Sequence, residues 1–112
     1  MTGQPVSQQK RNRAGTSRAV KRLAAAAPAI RQKFGVTKLG MFGSFARGEQ
    51  TARSDVDVLV CFAPGCATLH NFICLSDYLE ALFKRNVDLL TEDSLSDLIR
   101  PYIERDVIWI EG

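Results

Sequence analysis

Apolar residues recur along this chain with two periods. Between residues 16 and 34, Val20, Leu23, Ala24, Ala27, Ile30 and Phe34 fall three or four apart, the spacing of one helix face. Thr16 or Ser17 is suited to cap that helix, and Gly35 to end it. Pro28 interrupts the pattern and predicts a kink or a split, because proline lacks an N–H and its ring collides with the preceding turn. Residues 37–42 read as a first strand that runs into Gly43. Residues 44–48 read as a short helix capped by Ser44 and closed by Gly48, and residues 49–54 as a polar loop. Residues 55–62 alternate as a second strand, with Val56, Val58 and Val60 on one face and Asp55 and Asp57 on the other. Ala63-Pro64-Gly65 stops it.

The second half repeats the logic. Thr68 caps a helix over residues 69–85 whose inner stripe is Phe72, Leu75, Leu79, Leu82 and Phe83. Residues 86–90 form a third strand, with Val87 and Leu89 facing one way and Asp88 the other. Ser94 is placed to cap a last helix with Leu95, Leu98, Ile99 and Tyr102 turned inward, and Pro101 must kink or restart it. Residues 107–110 alternate weakly, as a short edge strand or a helix end packed on the sheet. Residues 1–15 are polar and basic and fit a disordered tail ahead of a single domain over 16–112.

Composition narrows the class. With 46% hydrophobic and 24% charged residues in 112, one modest core is available and the chain reads as soluble and globular. No apolar run reaches about 18 residues, so no membrane span is expected, and the N-terminal charges are not followed by a signal-peptide core. Cys61, Cys66 and Cys74 are odd in number and lack zinc spacing, which predicts reduced, partly buried thiols in a cytoplasmic protein. The net charge of +3 hides an asymmetry. Residues 1–48 carry ten basic and no acidic side chains, and residues 49–112 five basic and twelve acidic. A basic head of this kind suits nucleic acid, an acidic partner or nucleotide phosphates, or is simply a solvated face. His70 stands alone and reads as a surface or structural residue.

Chemistry concentrates in residues 42–60. Asp55 and Asp57 lie on one strand face, and two adjacent carboxylates repel unless a cation lies between them. Hard oxygen ligands at this spacing suit Mg2+ or Mn2+. Gly43 allows a tight turn and close approach of a ligand, and a helix beginning at Ser44 offers N–H groups to phosphate. Arg47, three residues on, shares the Ser44 face. A phosphate cradle beside a divalent-metal site points to phosphoryl or nucleotidyl transfer.

Gly43-Ser44-(x2)-Arg47-Gly48-(x6)-Asp55-(x)-Asp57 resembles the signature of the DNA polymerase beta-like nucleotidyltransferase superfamily, and the short chain is similar to its minimal branch. The signature joins two elements at a set spacing and is more specific than a lone glycine motif. The resemblance implies an α+β fold with α/β-type layering, a small mixed sheet flanked by helices. It places Asp88 as the third metal carboxylate beside Asp55 and Asp57, and Gly43, Ser44 and Arg47 on the nucleotide. It implies two Mg2+ ions, with Mn2+ as a substitute, and ATP as substrate. Members of this branch are antitoxins that pair with a HEPN-domain toxin, a ribonuclease, and transfer AMP to its tyrosine. Two other readings compete: a nucleotidyltransferase acting on a small molecule or an RNA end, and an antitoxin that acts by binding alone. Three acidic residues held together without ions would be costly, which weighs against the last.

Overall fold

A computed structural model describes residues 13–110. Expectations for the tail over residues 1–12 lie outside the described residues. Helix α1 (Arg13–Phe34) begins before the expected caps, so residues 13–15 are helical and Thr16 is not an N-cap. The Thr16 hydroxyl instead donates to the Phe45 carbonyl at 2.6 Å, tying the start of α1 to a distant helix. Pro28 does not split α1. Its ring lies on the exposed side, while Leu23, Ala27 and Ile30 on the opposite side are fully packed. The backbone loses one hydrogen bond at the proline, and the buried stripe keeps the helix in one piece. Gly35 closes α1 with φ +69° and an N–H donated to Arg31 O at 3.0 Å.

The strands are β1 (Val36–Phe42), β2 (Val56–Phe62), β3 (Val87–Thr91) and β4 (Ile108–Trp109). They form one mixed sheet in the order β3-β2-β1-β4. β2 runs parallel to β3 and antiparallel to β1, and β4 runs antiparallel to β1. The parallel pair is joined through α3 (Leu69–Phe83), the expected crossover for parallel strands. Thr68 caps α3 by accepting the Asn71 N–H, as its position predicts. The α+β fold is therefore the one expected, a four-stranded mixed sheet with helices packed on it.

Strand alternation separates the two faces of the sheet. Leu39, Met41, Val56, Val58 and Val60 turn toward α1 and α3 and are completely buried against Leu23, Ile30, Leu75 and Leu79. The opposite face carries a smaller cluster of Phe42, Leu59 and Leu95, with Ile103, Val107 and Trp109 against it.

The C-terminal segment differs most from expectation. Ser94 caps no long helix. It ends a 3-10 turn (Glu92–Ser94) and its hydroxyl donates to the Thr91 carbonyl. The last helix, α4 (Arg100–Asp106), starts only at Arg100, with Pro101 in its first turn, where a missing N–H costs nothing. Leu95 is buried as predicted, but Leu98, Ile99 and Tyr102 are exposed, Leu98 at 86%. Residues 107–110 supply the edge strand β4, so that alternative holds. The three cysteines are free and partly buried. Among the described residues, no helix is long and apolar enough to cross a membrane.

Candidate functional site

The site forms where three strand ends meet. The C-terminal end of β1 lies beside the N-terminal ends of β2 and β3, with Phe42 paired to Asp57 and Asp57 paired to Asp88. Asp55 immediately precedes β2 and lies two residues from Asp57. Parallel pairing in this register explains why two acids 31 positions apart in the chain become neighbours.

Their proximity registers in the chemistry. The Asp57 carboxyl is half-buried, and its pKa is pushed up to about 6, first by burial and then by the charges of Asp88 and Asp55. A hydrogen bond with Asp88 adds to the rise, and the charge of Arg47 opposes it. Asp55 and Asp88 are exposed, so the cluster opens outward from Asp57. Among the described residues, no three His, Cys, Asp or Glu side chains are already gathered at positions that would hold an ion. The acids are thus neighbours by backbone register and not closed around a common centre. Their oxygen donors and their mutual repulsion fit a hard divalent cation.

Helix α2 (Gly43–Arg47) follows β1 directly. Gly43 has φ +75°, and a Cβ at this position would run into the Asp57 carboxylate. Only glycine allows the turn and the acid to lie together here. Ser44 is not the N-cap. That position is Phe42, in extended conformation and with no side-chain cap, so the Ser44 hydroxyl is not committed to the helix end. Gly48 ends α2 as expected, with φ +74°.

Arg47 is occupied by protein partners. Its Nε donates to Glu49 and its Nη1 to Asp106, both at 2.9 Å. Those two hydrogen bonds raise the pKa of the guanidinium further. Arg47 thereby ties α2 to the end of α4, and its charge is also felt by Asp57. Sequence reasoning missed Asp106, because nothing local links a residue to a partner 59 positions away.

Comparison with known proteins agrees with this geometry. Residues 23–110 match the nucleotidyltransferase domain family. Protein adenylyltransferase MntA of Thermococcus cleftensis is 43% identical over 81 residues, 72% of this chain and 81% of that protein. The solved structure of a candidate minimal nucleotidyltransferase superposes with a TM-score of 0.66 at 34% identity, covering 80% of this chain and 93% of that one. A chain from the complex of the tri-AMPylated Shewanella oneidensis HEPN toxin with its MNT antitoxin shares the fold, with a TM-score of 0.61 at 16% identity, covering 83% and 72%. The match over most of its length and the carboxylates that meet beside Gly43 lead to one assignment: the chain belongs to the minimal nucleotidyltransferases of the polymerase beta-like superfamily, among the protein adenylyltransferases.

Proposed function

We propose that this chain transfers AMP from ATP to a tyrosine hydroxyl of a cognate HEPN-domain ribonuclease toxin and so acts as its antitoxin. The observation that carries the reading is the register that sets Asp57 against both Asp88 and the Gly43 turn. The 43% identical MntA protein, named for adenylyl transfer to protein, supports the acceptor class.

In this reading Asp55, Asp57 and Asp88 would hold Mg2+, or Mn2+ in its place. The ions would offset charge on the triphosphate and stabilise the attacking and leaving oxygens. Gly43 and Ser44 bind phosphate oxygens through first-turn N–H groups, which have no partner within the helix, and through the Ser44 hydroxyl. Arg47 keeps α2 in place against Glu49 and Asp106. Asp88 lies on the edge strand β3, open to an incoming acceptor. It takes the tyrosine proton as the phenolic oxygen bonds to the α-phosphorus and the α–β bridging bond breaks, releasing pyrophosphate. Positioning and charge stabilisation supply most of the rate.

The test is incubation with labelled ATP, Mg2+ and the HEPN partner, repeated with Asp55→Asn/Asp57→Asn. Label on a partner tyrosine that vanishes with the double substitution is the expected result. A partner inhibited equally by the unlabelling variant would overturn catalysis as the mode of action. Label on RNA or a small molecule instead would overturn the acceptor.

A further inference from the structure

A second charged feature lies on the helix-covered side of α2. A cleft of about 310 Å3 opens between the first turns of α1 and the loop that follows α2. Three arginines line it: Arg18 and Arg22, one turn apart on α1, and Arg85, just ahead of β3. Among the described residues, no acidic side chain lines it. The first 48 residues contain no acid.

Arg85 is held in place. Its Nη1 donates to Ser54 O at 2.8 Å, and its guanidinium stacks over the Phe45 ring at 5.1 Å. A planar guanidinium fixed on an aromatic ring keeps its other N–H groups oriented for a bidentate oxyanion. Arg18 and Arg22 form no ion pair among the described residues, and like charges one helix turn apart repel. Arg18 and Arg22 lie ahead of residues 23–110, the segment that matches the family, while Arg85 and the rest of the lining from Phe45 onward fall within it.

We propose that the cleft is a second anion site that binds a small ligand carrying linked phosphate groups, as inorganic pyrophosphate or the polyphosphate tail of a nucleotide. Three arginines around a cleft of this size suit a compact multivalent anion. A long nucleic-acid strand would require a basic stripe along the surface. The cleft is also wired to the catalytic carboxylates. Thr51 and Ala52 line it and lead to Asp55, and Arg85 precedes Asp88 by three residues. Occupancy would therefore stiffen both segments that carry the acids.

The full chain carrying Asp55→Asn/Asp57→Asn, in EDTA, removes metal-dependent binding at the catalytic site. Calorimetric titration of that protein with pyrophosphate, ATP and AMP, with and without Arg18→Glu/Arg22→Glu, separates the cleft from the phosphate donors of Gly43 and Ser44. We expect one pyrophosphate per chain, weaker binding of AMP, and a loss of about tenfold or more when Arg18→Glu/Arg22→Glu is added. Lys33→Glu, a charge reversal elsewhere on α1, leaves the affinity unchanged. Stronger binding of ATP than of pyrophosphate would name a nucleotide as the ligand, and the reverse would name the inorganic anion. Circular dichroism checks that the exposed arginine substitutions leave the fold intact. No binding heat, or heat indifferent to Arg18→Glu/Arg22→Glu, overturns the proposal. So does tight binding of a short oligoribonucleotide that loses affinity with those substitutions while pyrophosphate does not bind.

Discussion

The two faces of β2 were made under different rules. Val56, Val58 and Val60 look toward α1 and α3 and are completely buried among aliphatic side chains. One residue out of phase, Asp57 faces two other carboxylates, and its pKa is raised to about 6. The first face lowers the free energy of folding, at roughly 25 cal/mol per Å2 of apolar area removed from water. The second raises it, because like charges are gathered and one of them is half-buried. A strand only seven residues long thus carries both the core and the candidate centre. Stability is withheld where charge is to be received from a ligand.

Opposite substitutions should separate the faces. Asp57→Asn removes a ligand and a repelling charge together. AMP transfer should fall about 10²–10³-fold, while the metal-free protein unfolds at higher urea concentration. Transfer assays and urea melts on the same preparation check both signs. Leu39→Ala, on the helix-packed face of β1, should do the reverse. It should cost about 2–5 kcal/mol of stability and leave transfer per folded molecule nearly unchanged.

The pH dependence follows from the direction of the Asp57 shift. Its carboxyl ordinarily titrates near 3.8 and in the folded chain near 6, so the fold favours the protonated form. That contribution is complete below the ordinary value and is lost as pH rises through about 6. In EDTA, the stability of the wild type relative to Asp57→Asn should therefore decline between pH 4 and pH 7. Added Mg2+ should offset the decline at pH 7 and do little at pH 4, as thermal melts would read.

The smallest effect is expected at Arg47. Its ion pairs with Glu49 and Asp106 are short but the side chain is 43% exposed, so Arg47→Ala should cost under about 1 kcal/mol of stability. A larger rise in the ATP concentration needed for half-maximal transfer would show that its hold on α2 serves the nucleotide more than the fold.

Much of this layout is legible in the sequence. Periodicity locates α1, α3 and the three long strands, and the glycines at 35, 43 and 48 mark backbone turns that the structure makes with positive φ. Alternation against Val87 and Leu89 gives the face of Asp88, the family resemblance implies its place beside Asp57, and the pairing of β2 with β3 supplies the contact. Local rules fail where distant contacts decide. Ser94 has the chemistry of a cap, yet Pro101 sets the start of α4 and leaves Leu98 and Tyr102 outside. Pro28 has the chemistry of a break, yet packing of Leu23 and Ile30 carries the helix through it. The bond from Arg47 to Asp106 and the meeting of Arg18, Arg22 and Arg85 join residues dozens of positions apart. No spacing within one element encodes such pairs.

The central claim is that acids from two strands act as one cation site. Titration with Mn2+, followed by loss of the free-ion electron paramagnetic resonance signal, tests it on the wild type and on Asp88→Asn. The account predicts binding by the wild type that Asp88→Asn weakens at least about tenfold. Equal binding by the two proteins would contradict it.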